Sequence, residues 1–124
     1  EDEVIFLKDI VEDLKFSLIS ESNLFLMPTR IDKKSIEGFG ISFMEAASYR
    51  VGSIGGKDGG ASDAIVHNKT GLICNGNDLN SIYESIINFF ENEKFIEFGK
   101  EAENYSHDFH WNKIIKNYLK LINR

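Results

Sequence analysis

The sequence predicts an α/β fold built on a parallel sheet, and three observations carry that reading. Short apolar runs alternate along the chain with stretches of helical periodicity. Each such run after the first closes on a loop that bears glycine or the single proline. One of them, residues 24–27 (Leu-Phe-Leu-Met), is continuously apolar, as suits a strand buried on both faces by crossover helices.

The elements follow in order. Residues 4–7 (Val-Ile-Phe-Leu) form a β-branched apolar run between charged flanks and read as a first strand. From Glu12 the period changes: Leu14, Leu18 and Ile19 share one face, with Glu12, Asp13 and Lys15 on the other, giving an amphipathic helix to about Ser22. Asn23 breaks it, the strand at 24–27 follows, and Pro28 stops that strand. A polar loop carrying Arg30, Lys33 and Lys34 leads to Glu37-Gly38-Phe39-Gly40 and a helix starting near Ser42. A third strand at 51–54 ends in the cluster Gly55-Gly56-Lys57-Asp58-Gly59-Gly60, ahead of a helical turn over 62–67. Asn68-Lys69-Thr70-Gly71 has turn chemistry, and 72–74 is a last short strand. The remainder reads as three helices, 78–92, 93–105 and 110–122, with apolar stripes at Leu79, Ile82, Ile86, Phe89 and Phe90, and at Ile114, Ile115, Tyr118 and Leu119.

Composition narrows the function. The chain has 124 residues, room for one small domain, and 42% hydrophobic against 27% charged residues lets it build a core. Fourteen Lys+Arg against twenty Asp+Glu leave a formal charge of −6, which argues against a nucleic-acid or anionic-membrane surface. A lone cysteine, Cys74, excludes a disulfide scaffold and suits a reducing compartment. No apolar run approaches the length of a transmembrane span. The chain opens Glu-Asp-Glu without an initiator Met, which reads as a processed chain or a piece of a longer one.

In open parallel sheets, ligands sit outside the carboxyl ends of the strands, and the two richest loops open there. Gly38-Phe39-Gly40 before a helix lets main-chain N–H groups approach an anion such as a phosphate. Gly59-Gly60-Ala61 repeats the device one strand later, so the pair suits an extended anion, for instance a diphosphate. The plainer reading is that both sets of glycines only turn the chain. Glu45 likewise has two readings. With Ser42 it forms a capping box, reaching back to the backbone N–H of residue 42 and adding about 0.5–2 kcal/mol of helix stability. Alternatively it accepts hydrogen bonds from vicinal hydroxyls, as acidic residues do for a ribose. Glu37, in the loop, would then face whatever hangs from the diphosphate. Arg30 and Lys57 are either solvated charges or part of the same crevice. His107 and His110 lack the further ligands a zinc site needs, and Trp111 reads as a packing anchor.

Glu37-Gly38-Phe39-Gly40-x-x-x-x-Glu45-Ala46 resembles the E-x7-E signature of retaining glycosyltransferases of the GT-B fold, family 4 (group 1). The resemblance extends through Leu24-Phe25-Leu26-Met27-Pro28-Thr29, Gly59-Gly60-Ala61-Ser62-Asp63-Ala64, Thr70-Gly71-Leu72-Ile73 and Phe109-His110-Trp111, almost the whole chain. It implies the C-terminal, nucleotide-sugar-binding half of a two-domain enzyme: a partial Rossmann-like parallel sheet flanked by helices. By that analogy Glu45 binds the ribose and Glu37, as the catalytic carboxylate, contacts hydroxyls of the donor sugar. Amides around Gly38, Phe39, Gly40 and Ile41 hold the diphosphate and sugar, and Gly59 and Gly60 line the same crevice. The departing diphosphate needs charge stabilisation, which helix N-termini and basic side chains supply; the resemblance implies no metal and no cofactor beyond the nucleotide diphosphate sugar itself.

Two departures are informative. Arg50-Val51-Gly52-Ser53-Ile54 stands where the family usually has Gly-x-Pro-Val-Val, which alters the strand entry. The family's first strand–helix units, with the Arg and Lys that clamp the donor phosphates, have no counterpart, nor does the acceptor-binding N-terminal domain. Those strands would lie between the one at 4–7 and the one at 24–27, so the sheet is expected to carry a gap, expose apolar edges, and be completed by a partner chain, a swapped copy or a rearranged pairing.

Residues 1–124 are thus expected to be a single domain, the donor-binding part of a retaining glycosyltransferase. The parent would transfer a hexose from a nucleotide diphosphate sugar to a glycan or lipid-linked acceptor in bacterial surface polysaccharide synthesis. It would be cytoplasmic, at most peripheral to the inner face of the membrane, and the chain alone inactive. The alternatives are a non-catalytic α/β nucleotide-binding or interaction module in which Glu45 is only a cap, and a helical interaction domain built on the stripes after Asp78.

Overall fold

A computed structural model describes residues 3–32, 38 and 40–123. Its order is α1 (Glu12–Ser20), β1 (Phe25–Met27), α2 (Ile41–Ser48), β2 (Ser53–Gly56), α3 (Ala61–Ala64), β3 (Gly71–Cys74), α4 (Leu79–Phe90), α5 (Lys94–Ser106) and α6 (Trp111–Ile122). The strands form one parallel sheet in the order β1-β2-β3, with Leu26 opposite Ile54 and Ile54 opposite Leu72. This is the α/β architecture that the alternation of elements predicts.

Side-chain alternation along the strands splits the core in two. On one face Ile54, Leu72 and Cys74 pack with Phe89 of α4 and Phe98 of α5, with Leu24, Ile82, Ile86 and Phe95 around them. On the other, Phe43 of α2 joins Ala61, Ala64 and Ile65, with Phe25, Met27 and Ile73 against them. Small residues let the layers close: a Cβ on Gly99 would collide with the Arg50 carbonyl, so α5 seats directly on the end of α2. Tyr105 of α5 donates its hydroxyl to the Asp63 carbonyl at 3.1 Å, which ties α5 to α3.

Several expectations are corrected. Residues 4–7 join no strand; they are exposed, Phe6 by 94%. An isolated four-residue run gains nothing from extended backbone without a neighbouring strand to bond. For the same reason the gap does not open in the ladder: the three described strands are contiguous, and the run expected beyond the gap stays out of the sheet. The apolar edge does occur, because β1 is an edge strand and Leu26 is 42% exposed, not buried on both faces.

Boundaries also move. β2 lies two residues later than expected, running through Gly55 and Gly56 because side chains there would collide with neighbours on both sides of the sheet. The turn at 62–67 shortens to α3, after which the chain extends and His67 bridges to Gly71. On α1 the residues facing the body are Lys15, Phe16 and Ile19, whereas Leu14 and Leu18 face solvent. On α6 Ile114 is half-buried, whereas the other apolar residues, among them Trp111, Tyr118 and Ile122, are exposed.

Candidate nucleotide-sugar site

Because all strands are parallel, Met27, Gly56 and Cys74 end on one side of the sheet, and the loops after them gather there. The packing is backbone against backbone. The Thr29 carbonyl occupies the space that a Cβ on Gly56 or Gly76 would need, so two glycines let the loop after β1 lie across the ends of β2 and β3. Thr29 Oγ1 donates to the Asp58 carbonyl at 3.3 Å, and Asp58 Oδ2 accepts from Asn77 Nδ2 at 3.3 Å. Lys57 N–H donates to the Cys74 carbonyl at 2.8 Å. The rim is thus fixed by hydrogen bonds, with the side chains of Arg30 and Lys57 exposed above it.

α2 starts at this rim. Its N-cap is Gly40, in the left-handed region at φ 77°, and the Gly40 carbonyl accepts the Phe43 N–H at 2.9 Å. The capping box expected at Ser42 is therefore not formed: the helix begins at Ile41, which leaves Ser42 inside the first turn and Glu45 without that task. The N–H groups of Ile41 and Ser42 precede the first i→i−4 bond and are the donors a helix start offers to an anion. Gly38 lies in the open, with nothing within 4 Å of the position a Cβ would take. Glu37 and Phe39 lie outside the described residues.

The second glycine loop arrives at the same end. Gly59 has φ 87° and Gly60 caps α3, whose Ala61 and Ala64 share a cluster with Phe43 of α2. α3 is a single turn, so its dipole adds little beside that of α2. Gly40, Ile41, Gly59 and Gly60 are therefore brought to one rim, with Glu45 one turn behind the first pair.

Glu45 has a partner that sequence reasoning missed. Lys15 Nζ of α1 lies 3.3 Å from Oε1 and 3.4 Å from Oε2, forming a partly buried pair. Beside it, Phe16 and Tyr49 hold α1 to the end of α2 with ring centroids 5.8 Å apart. The helical wheel of 12–22 places Lys15 on a polar face, but nothing in the sequence links it to a carboxylate thirty residues away.

Among the described residues, no three His, Cys, Asp or Glu side chains converge as metal ligands do. The rings of His107 and His110 stack loosely at 5.7 Å, and His67 accepts the Ile73 N–H at Nδ1. No helix of the described residues is long and apolar enough to cross a membrane.

A sheet end flanked by two glycine-led helix starts, with an acidic residue one turn inside the first, is where open α/β sheets place their ligands. Comparison with known proteins makes this specific. Residues 1–107 match the family described as "Glycosyl transferases group 1", and the chain belongs to that family. It is 37% identical over 67 residues to a GDP-mannose-dependent α-(1-6)-phosphatidylinositol monomannoside mannosyltransferase of Mycobacterium tuberculosis, covering 52% of this chain and 17% of that protein. It is 33% identical over 67 residues to the protein of the same name in Mycolicibacterium smegmatis, covering 52% of this chain and 18% of the relative. A GDP-mannose-dependent monoacylated α-(1-6)-phosphatidylinositol monomannoside mannosyltransferase of Corynebacterium glutamicum is 28% identical over 95 residues, covering 67% of this chain and 25% of the relative. The match thus spans a quarter or less of each relative's length.

Proposed function

We propose that this chain is the donor-binding part of a retaining GT-B glycosyltransferase of family 4, whose parent transfers a hexose from a nucleotide diphosphate sugar to a lipid-linked or glycan acceptor held by a further domain. The observation that carries the reading is the common rim: the starts of α2 and α3 open at the carboxyl end of one parallel sheet, and Glu45 stands one turn behind Gly40. In this reading the diphosphate lies against the amides of Gly38, Phe39, Gly40 and Ile41, with Gly59 and Gly60 lining the far side. Glu45 accepts the ribose hydroxyls, and Glu37 contacts the hydroxyls of the transferred sugar. The relatives' names favour GDP-mannose as donor and a phosphatidylinositol-based glycolipid as acceptor. Such an acceptor would place the parent's work at the cytoplasmic membrane face, in assembly of surface glycoconjugates.

The chemistry fits the parts. Breaking the bond between sugar and diphosphate builds negative charge on the departing phosphate, and preorganised amides offset it without rearranging during the reaction. Neither a metal nor another cofactor is invoked; the nucleotide sugar is a co-substrate.

Calorimetric titration of the chain with GDP, UDP and ADP, and with GDP-mannose, tests the reading. Saturable binding of one nucleotide, weakened by Glu45→Ala, is expected, with Glu37→Ala weakening the sugar conjugate more than the bare nucleotide. Absence of binding to all of them, or binding indifferent to both substitutions, would refute it.

A further inference from the structure

Both oxygens of Glu45 are engaged by a single cation from another helix, at 3.3 and 3.4 Å, and that cation is itself steadied: Lys15 Nζ lies 4.5 Å from the ring centroid of Phe16. A half-exposed ion pair of this kind does little for stability, and the Phe16–Tyr49 contact already fastens α1 to α2. What the pair does control is the carboxylate. A glutamate on a helix surface samples several rotamers, whereas one bridged by an ammonium holds both oxygens in one orientation.

We propose that Lys15 is a positioning residue for the donor site. It pre-orders Glu45 to accept two vicinal ribose hydroxyls. The inference rests on the donor-site reading, and ribose-dependent binding separates the two.

The test is titration of the wild-type chain and of Lys15→Met, Lys15→Arg, Glu45→Ala and the Lys15→Met/Glu45→Ala double variant. The ligands are GDP, UDP and ADP, each beside its 2′,3′-dideoxy counterpart. Lys15→Met is expected to weaken the ribonucleotide that binds by about tenfold, the scale of one charge-assisted hydrogen bond. It should leave the dideoxy compound within about twofold, and Lys15→Arg should restore most of the loss. The double variant should bind no more weakly than Glu45→Ala alone, since both remove the same interaction. Tyr49→Leu, which loosens α1 by removing the Phe16–Tyr49 contact but leaves Lys15, Glu45 and the Phe16 ring in place, should change the affinity for ribo and dideoxy ligands equally. If Lys15→Met weakens both ligands equally, or neither, while Glu45→Ala still discriminates between them, Lys15 does not position Glu45 and the donor-site reading stands. If no nucleotide binds the wild-type chain, both fall together.

Discussion

The ring of Phe43 stands where a Cβ on Gly40 would have to go: its Cδ2 atom is 2.6 Å from that position, and Gly40 has φ 77°. The left-handed cap and the covering ring form one device. Phe43 is buried, meets Phe25 of β1 edge-on at 5.7 Å, and so ties the start of α2 to the sheet.

Gly40→Ala should therefore carry two penalties, a left-handed backbone and a collision with an aromatic ring that has no room to retreat. A loss of about 1–3 kcal/mol is expected, read as a lower urea midpoint with an unchanged slope. An alanine variant as stable as wild type would show that the start of α2 is looser than this packing implies.

Phe43→Ala removes the ring itself and leaves a hole between α2, α3 and β1. It should destabilise the chain by about 3–5 kcal/mol, a large share of the roughly 5–15 kcal/mol that keeps a single domain folded. Phe43→Leu should cost less and retain the cap. Thermal unfolding of the two variants beside wild type gives the comparison.

The sequence shows the alternation of strands and helices because period and turn chemistry are local properties, and the rim glycines follow from it. The apolar stripe of α4 is legible in the same way, although Asp78, read as that helix's first residue, proves to be its cap. What fails are properties set by neighbours. Residues 4–7 have the composition of a strand but no partner, and composition cannot supply one. Gly55 and Gly56 look like the end of a strand until Thr29 and Phe43 are seen pressing on them. Ser42 and Glu45 have the spacing of a capping box, yet Gly40 takes the cap and Lys15 takes the carboxylate. Residues 4–7 lack a long-range contact that their composition anticipates, whereas Gly55, Gly56 and Glu45 meet long-range contacts that overrule a short-range signal.

Asp78 provides a local test. Its side chain accepts the Asn80 N–H at 3.0 Å and caps α4, which carries Phe89 into the core. Asp78→Ala should cost about 0.5–2 kcal/mol, and Asp78→Ser distinctly less. Chemical denaturation separates the two, and equal losses would mean that the cap hydrogen bond contributes nothing.

Cys74 ends β3 within the core, where burial pushes its thiol up from the usual range, only partly countered by a backbone hydrogen bond. A raised value means that the fold prefers the protonated thiol. The contribution is complete below the unfolded thiol's pKa and is lost as pH rises from there through the folded value. Iodoacetamide at pH 8.5 should label the native chain at least about tenfold more slowly than the urea-unfolded chain. Equal rates would place the sulfur in solvent.

Asp108 carries the opposite sign. It lies in the turn at His107–Phe109 that delivers the chain to α6, and Lys113 Nζ donates to its Oδ1 at 2.9 Å. That hydrogen bond, then the charge of Lys113, and last the nearby His107 hold its carboxyl below the usual aspartate range, against a small opposing effect of desolvation. A depressed value favours the ionised form in the fold, so the contribution is present above the unfolded aspartate's pKa and is lost as pH falls through the folded one. Carboxyl ¹³C shifts followed through an acid titration should give Asp108 a midpoint below that of an ordinary aspartate, and Lys113→Met should move it back up. Because the pair is exposed, added salt should move it in the same direction. A midpoint that ignores both changes would mean that Lys113 does not hold Asp108 in solution, and that the turn into α6 is kept by its backbone bonds alone.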